Sequence, residues 1–127
     1  DKIYLFICDL DNFKQINDTY GHYEGDHALR EASRLLKAAT ARGDFLARYG
    51  GDEFILITKC ENDTAAMELR QKIQNAFRTH AEQTDRPYQL SLSIGLSPCS
   101  SDIASCFKKA DECLYLEKNC KKEDVRI

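Results

Sequence analysis

Gly50 and Gly51 stand between two apolar runs, "DFLARY" and "EFILITK", and this pattern limits the fold more tightly than any other in the 127-residue chain. The tight turns that join antiparallel strands need positive φ, which glycine adopts without steric penalty, so the stretch predicts a β-hairpin. Asp52 and Glu53 fall just past the turn, at the mouth of a strand whose apolar run reads as buried. On a regular strand Glu53 would point away from Asp52. Two readings stay open at this point: a hairpin with an acidic polar turn, or a turn that holds a cation or a phosphate.

The remaining elements follow from periodicity. "KIYLFICDL" is a continuous apolar run and predicts a central strand over residues 2 to 9, ending at Asp9. "DNFKQINDTYG" predicts a short helix with Asp11 as N-cap and Gly21 as terminator. From Gly25 on, Ala28, Leu29, Ala32, Leu35, Leu36 and Ala39 recur at helical spacing, and the helix stops before Gly43. Ala66, Leu69, Ile73, Ala76, Phe77 and His80 form a further helical face that ends near "TDRP". "YQLSLSIGLS" alternates, with Tyr88, Leu90, Leu92, Ile94 and Leu96 on one side, and predicts a half-buried strand. Ile103, Phe107, Ala110 and Leu114 predict a last helix, and "DVRI" a terminal strand. The order is βααββαβαβ: an α+β, palm-type layout (ferredoxin-like or nucleotide-cyclase-like) with a mostly antiparallel central sheet and helices covering one face.

Composition narrows the class. With 43% hydrophobic and 31% charged residues, the chain suits one globular domain over residues 1 to 127. A net charge of -3 lacks the basic excess of a nonspecific nucleic-acid binder, so no nucleic-acid partner is expected. The sequence contains no apolar run of membrane-spanning length and no basic-then-apolar leader, which reads as a soluble, cytoplasmic piece without direct membrane contact, either free or as the cytoplasmic part of a membrane-anchored protein. None of the six cysteines forms a CxxC pair, so reduced thiols are expected. Cys106, Cys113 and Cys120 recur every seven residues, about two helical turns apart, which is too far for one metal and reads as packing.

If the hairpin pairs beside the first strand, Asp9 and Asp52 converge. Paired carboxylates plus a backbone carbonyl, such as that of Leu10, are hard oxygen ligands of the kind magnesium takes when it also binds phosphates. Metal-assisted phosphoryl chemistry is the corresponding expectation. Asp11 joins Asp9 on one face only if the strand runs that far; otherwise it is a cap.

"DLDNFKQINDTYGHYEGD", followed by "RYGGDEF", "SLSIGLS" and "ADECLYLEK", resembles the GGDEF family of diguanylate cyclases over nearly the whole chain. The resemblance implies a palm-type domain that condenses two GTP molecules into cyclic di-GMP and two pyrophosphates. It implies that Asp9, the Leu10 carbonyl and Asp52 bind two Mg2+ ions, with Mn2+ as an alternative. Asp52 is then the proposed base, with Glu53 and Lys14 completing the catalytic set. Asn17 and Asp26 match the guanine-reading positions, since an amide donates and accepts while a carboxylate accepts from the ring N–H and exocyclic amine. Phe13, Lys14, Gly50, Gly51, Lys118 and Lys122 match the other substrate-binding positions, Lys122 standing where the family commonly has arginine. Because one domain holds one GTP, the resemblance also implies a homodimer, regulated by an upstream sensory or downstream effector domain. The alternative is a catalytically silent domain that binds GTP and regulates a fused partner.

Two departures accompany the match. The family's inhibitory Arg-x-x-Asp product site aligns with "ARGD", where Ala41 replaces the arginine and Asp44 remains, so product feedback is expected to be lost. The "DxLTGLxNR" segment that commonly precedes the first strand does not stand in this sequence, and the chain reads as a domain excised from a longer protein. Arg48 reads as a surface ion-pair residue and Tyr49 as a packing aromatic. His22 and His27 read as capping or packing groups.

Overall fold

The computed structural model describes residues 1–100 and 102–126, with residues 122–126 as backbone only. Strands β1 (Lys2–Leu10), β2 (Phe45–Tyr49), β3 (Glu53–Cys60) and β4 (Leu92–Pro98) form one sheet in the order β2-β3-β1-β4, with every pairing antiparallel. The helices are α1 (Phe13–Tyr20), α2 (His22–Ala39), α3 (Asp63–Gln83) and α4 (Ile103–Arg126). Among the described residues no helix is long and apolar enough to cross a membrane.

The continuous apolar run of β1 has a direct consequence. Tyr4, Phe6, Cys8 and Leu10 point to one side and join Ala28, Leu29, Ala32 and Leu36 of α2 and Ile73 and Phe77 of α3. Leu5 and Ile7 point to the other and join Cys106, Ala110 and Leu114 of α4. Helices therefore cover both faces, where one covered face was expected. A strand apolar on both sides leaves no face that water can solvate without cost.

The same correction applies to β4. Its large apolar residues do share one face, as the alternation predicts, but Ser93, Gly95 and Ser97 on the other are buried too. Their small size is what lets α4 approach: a Cβ on Gly95 would stand 2.0 Å from the Ala110 carbonyl oxygen and 2.4 Å from the Leu114 nitrogen. Regular pairing starts at Leu92, so Tyr88 and Leu90 precede the strand.

Three boundaries also differ. α2 begins at His22, and Gly25 lies inside it. Asn12, at φ 57°, occupies the N-cap position of α1, and Asp11 is turned toward β4 instead of capping. The terminal strand is absent among the described residues: Asp124, Val125 and Arg126 continue α4, and Ile127 lies outside them. No glycine or proline between Ile103 and Arg126 interrupts that helix, so the order is βααββαβα.

Cys99 and Cys106 are joined as a disulfide, with Cα atoms 5.3 Å apart, which corrects the expectation of six reduced thiols. The chain leaving β4 stays bonded to β1 before α4 begins: Cys99 N–H donates to the Ile3 carbonyl at 2.7 Å. Cys8, Cys60, Cys113 and Cys120 are free. Of the sevenfold stripe only Cys106 is buried; Cys120 is exposed.

Gly95→Ala tests the α4–β4 approach. The atoms it meets are backbone and cannot rotate away, so the variant is expected to lose at least about 3 kcal/mol, the upper end of ordinary overpacking, measured by guanidinium denaturation.

Candidate functional site

At the end of β1, Asp9 lies directly across from Glu53, the first residue of β3. Residues opposite each other on antiparallel strands project to the same face, so the two carboxylates meet on the α4 side of the sheet. Asp52 comes from the turn just before, whose carbonyl accepts the Leu10 N–H at 3.1 Å. One carboxylate oxygen from each of Asp9, Asp52 and Glu53 lies within 4.8 Å of the others. The expectation that Glu53 turns away from Asp52 is thereby corrected: Asp52 belongs to the turn, outside the strand alternation.

The electrostatics of this cluster are unbalanced. Burial pushes the Asp9 carboxyl up to about 7; Lys118 opposes the rise, and Asp52 and Glu53 add to it. Burial, Asp52 and Asp111 likewise raise Glu53. The Lys118 ammonium stands 3.5 Å from Asp9 and 3.6 Å from Asp11 and is the one cation within ion-pair reach of Asp9 among the described residues. Oδ1 of Asp9 is buried without a hydrogen-bond donor. Three crowded carboxylates with an orphaned buried oxygen fit a hard divalent cation. Asp9 and Glu53 border a cleft of about 460 Å³ that Lys118 and Tyr115 close from α4.

Asn17 and Asp26 belong to the helices α1 and α2. Asn17 is half-buried on α1, and its amide rests against Gly25 of α2. Asp26, exposed, lines a cleft of about 660 Å³ between α2 and β2, together with Arg30 and Arg48. None of the clustered acids lines that cleft. Gly50 has φ 78°, as the hairpin requires, and around both turn glycines the space a Cβ would fill is open. Lys14 is exposed at the start of α1, and no described ion pair joins it to the acids, whereas Phe13 packs on the core. The side chain of Lys122 lies outside the described residues.

The family profile described as "Diguanylate cyclase, GGDEF domain" matches residues 1–124. The chain belongs to the GGDEF family. Diguanylate cyclase A of Treponema denticola is 34% identical over 122 residues, covering 93% of this chain and 33% of the relative. Diguanylate cyclase DgcS of Shewanella oneidensis is 36% identical over 127 residues, covering 95% of this chain and 42% of the relative. The chain thus spans between a third and a half of the length of these curated relatives. Among solved structures, the GGDEF domain of DgcB from Caulobacter crescentus, in complex with c-di-GMP, superposes with a TM-score of 0.85 at 27% identity, covering 93% of this chain and 72% of that one. The active GGEEF domain of a Vibrio cholerae diguanylate cyclase superposes with a TM-score of 0.82 at 30% identity, covering 94% and 78%.

Other residues of this GGDEF domain take structural positions. Asp44 accepts the Thr58 hydroxyl and the Ala41 N–H, both at 2.8 Å, and so closes its own turn. The Tyr49 ring meets Phe107 edge-on at 5.6 Å, the packing role expected of it. Arg48 makes no ion pair among the described residues, contrary to expectation, and faces the α2–β2 cleft. His22 and His27 belong to no potential metal group among the described residues.

Sequence reasoning missed a charged network beside the acids. Asp11 accepts from Ser93 at 2.7 Å, Ser91 at 2.9 Å and Lys121 at 2.7 Å. Burial alone would raise its carboxyl, but Lys121 and the two hydroxyls outweigh that and hold it below its ordinary value. Lys121 also donates to the Leu92 carbonyl at 2.8 Å, and Glu117 accepts the Ile94 N–H at 3.0 Å, so α4 side chains satisfy the outer edge of β4. Arg70 and Gln74 of α3 reach the same Glu117 at 2.8 and 3.1 Å. The only local sign in the sequence is the i,i+4 spacing of Glu117 and Lys121.

Glu117→Ala strips partners from Arg70 and from the Ile94 N–H. A stability loss of about 2 kcal/mol is expected, measured as a lowered urea midpoint at unchanged m.

Proposed function

We propose that this domain is the catalytic unit of a diguanylate cyclase, condensing two GTP into cyclic di-GMP and two pyrophosphates. The observation that carries the proposal is the convergence of Asp9, Asp52 and Glu53 at the end of the central strands, in a member of the GGDEF family. Asp9, Asp52 and the Leu10 carbonyl hold divalent cations, magnesium by the hardness of the donor set. When bound, these ions neutralise the triphosphate and polarise the α-phosphate toward attack.

The chain's own groups supply the rest. Lys118, 3.5 Å from Asp9, would be free to contact phosphate oxygens if divalent cations were held by the acids, and Lys14 and Lys122 would add further phosphate contacts. Gly50 and Gly51 leave the turn open for phosphate to lie against the backbone. Asn17 and Asp26 read guanine: the Asp26 carboxylate accepts from donors that adenine lacks. Glu53 supports the cluster, and Asp52 takes the proton from the attacking hydroxyl. Each domain holds one nucleotide, so two domains meet about a twofold axis. Each 3′-hydroxyl attacks the α-phosphorus of the facing nucleotide and expels pyrophosphate. A GTP substrate places the domain in the cytoplasm, under the control of a fused sensory or effector domain. Alanine at position 41, in place of the arginine, and the internal bonding of Asp44 support the loss of product feedback at that position.

Incubating the full-length protein with GTP and magnesium is expected to yield cyclic di-GMP. Nucleotide binding without any cyclic product would favour a silent sensor domain. Asp52→Asn is expected to lower turnover by about 100-fold or more, the scale of removing one preorganised charge, while far-ultraviolet dichroism stays unchanged. Turnover equal to the parent would remove Asp52 from the mechanism. Asp26→Ser is expected to narrow the gap between GTP and ATP affinity; an unchanged ratio would count against its role with guanine.

A further inference from the structure

Gly25 is buried inside an 18-residue helix, where alanine is energetically preferred over glycine. Its φ is not among the positive values found at Gly21, Gly43 and Gly50, and its N–H makes an ordinary helical bond to the Gly21 carbonyl at 3.2 Å. Backbone conformation therefore does not require glycine here. Space does. A Cβ at this position would stand 1.8 Å from Oδ1 and 2.8 Å from Cγ of Asn17.

That overlap has only one cheap relief. The first turn of α2 is held from the far side, because Glu24 accepts two bonds from Arg86 at 2.7 and 2.6 Å and the Glu24 carbonyl accepts the Tyr88 hydroxyl at 3.1 Å. The end of α1 is held as well, by Ile16 buried in the core and by the Tyr20 hydroxyl, which donates to the Pro87 carbonyl at 3.2 Å. With both backbones fixed, the Asn17 side chain must swing out of its rotamer.

We infer that Gly25 is a positioning residue for base recognition: the space left by its missing side chain seats the Asn17 amide beside Asp26 and aims it at the purine. The inference rests on the guanine-reading role of Asn17 proposed above. It assigns to Gly25 a share in nucleotide selectivity, although glycine itself offers no group to the base.

The test is a double-mutant cycle of Gly25→Ala, Asn17→Ala and the pair, made in the full-length protein. Binding of α,β-methylene GTP, which cannot lose pyrophosphate, and of its adenine counterpart is measured with magnesium by calorimetry, alongside thermal midpoints. Gly25→Ala is expected to weaken the guanine analogue by about three- to tenfold, the scale of one lost hydrogen bond, and to leave the adenine analogue nearly unchanged. In the Asn17→Ala background the same change is expected to cost no further affinity and to leave the midpoint equal or higher, because alanine favours the helix. Full guanine affinity in Gly25→Ala, with affinity lost in Asn17→Ala, would overturn the positioning role and leave the guanine reading standing. Full affinity in Asn17→Ala would overturn that reading and this inference with it. A double variant less stable than Asn17→Ala would show that the glycine serves packing other than Asn17, and would also overturn the inference.

Discussion

Pairing of Asp9 with Glu53 across β1 and β3 puts two carboxylates on one face of the sheet, and the turn ahead of Glu53 adds a third from Asp52. Like charges directly opposite on neighbouring strands destabilise a sheet, and partial burial removes the water that would screen them. The fold tolerates this because the rest of β1 is buried on both faces and its register cannot slip. A one-residue shift would exchange the Tyr4–Leu10 side for the Leu5–Asp9 side, turning Asp9 into the α2–α3 core and forcing Tyr4 and Phe6 against α4. Stability spent on the acids is thus supplied by the strand that carries them.

α4 is the second element on which the acids depend. It reaches the sheet because Ser93, Gly95 and Ser97 are small, and it brings Lys118 within ion-pair reach of Asp9 and Asp11. Further along, Glu117 and Lys121 satisfy backbone groups on the free edge of β4 and tie it to α3 through Arg70. The same helix therefore covers a core face, closes a sheet edge and partly neutralises the acids. A change that lifts α4 would touch all three, whereas a change where α1 meets α2 would touch none.

The α1–α2 end is built from helix packing. The α1–α2 turn at Gly21 folds the two helices together, Arg86 and Tyr88 brace the first turn of α2 from outside, and Asn17 lies in the space above Gly25. Two independent constructions, a strand register and a helix contact, thus hold the two groups of residues. A nucleotide bridging them would sense both.

Much of this was legible in the chain itself. Apolar runs and their periods located β1, the β2–β3 hairpin and the four helices, and the motifs around Asp9 and Gly50 identified the family, because local propensity and motif residues are written in consecutive positions. Contacts between distant segments were not. Glu53 joins the acids only because of cross-strand register, Asp11 leaves its expected cap because Ser91, Ser93 and Lys121 arrive from β4 and α4, and the small face of β4 is buried only because a helix lies on it. The extension of α4 through "DVR" likewise departs from the local reading of a strand. Sequence alone determined which elements form and which acids the chain offers; the tertiary structure decided which of them meet, since that depends on partners dozens of residues away whose approach no local period records.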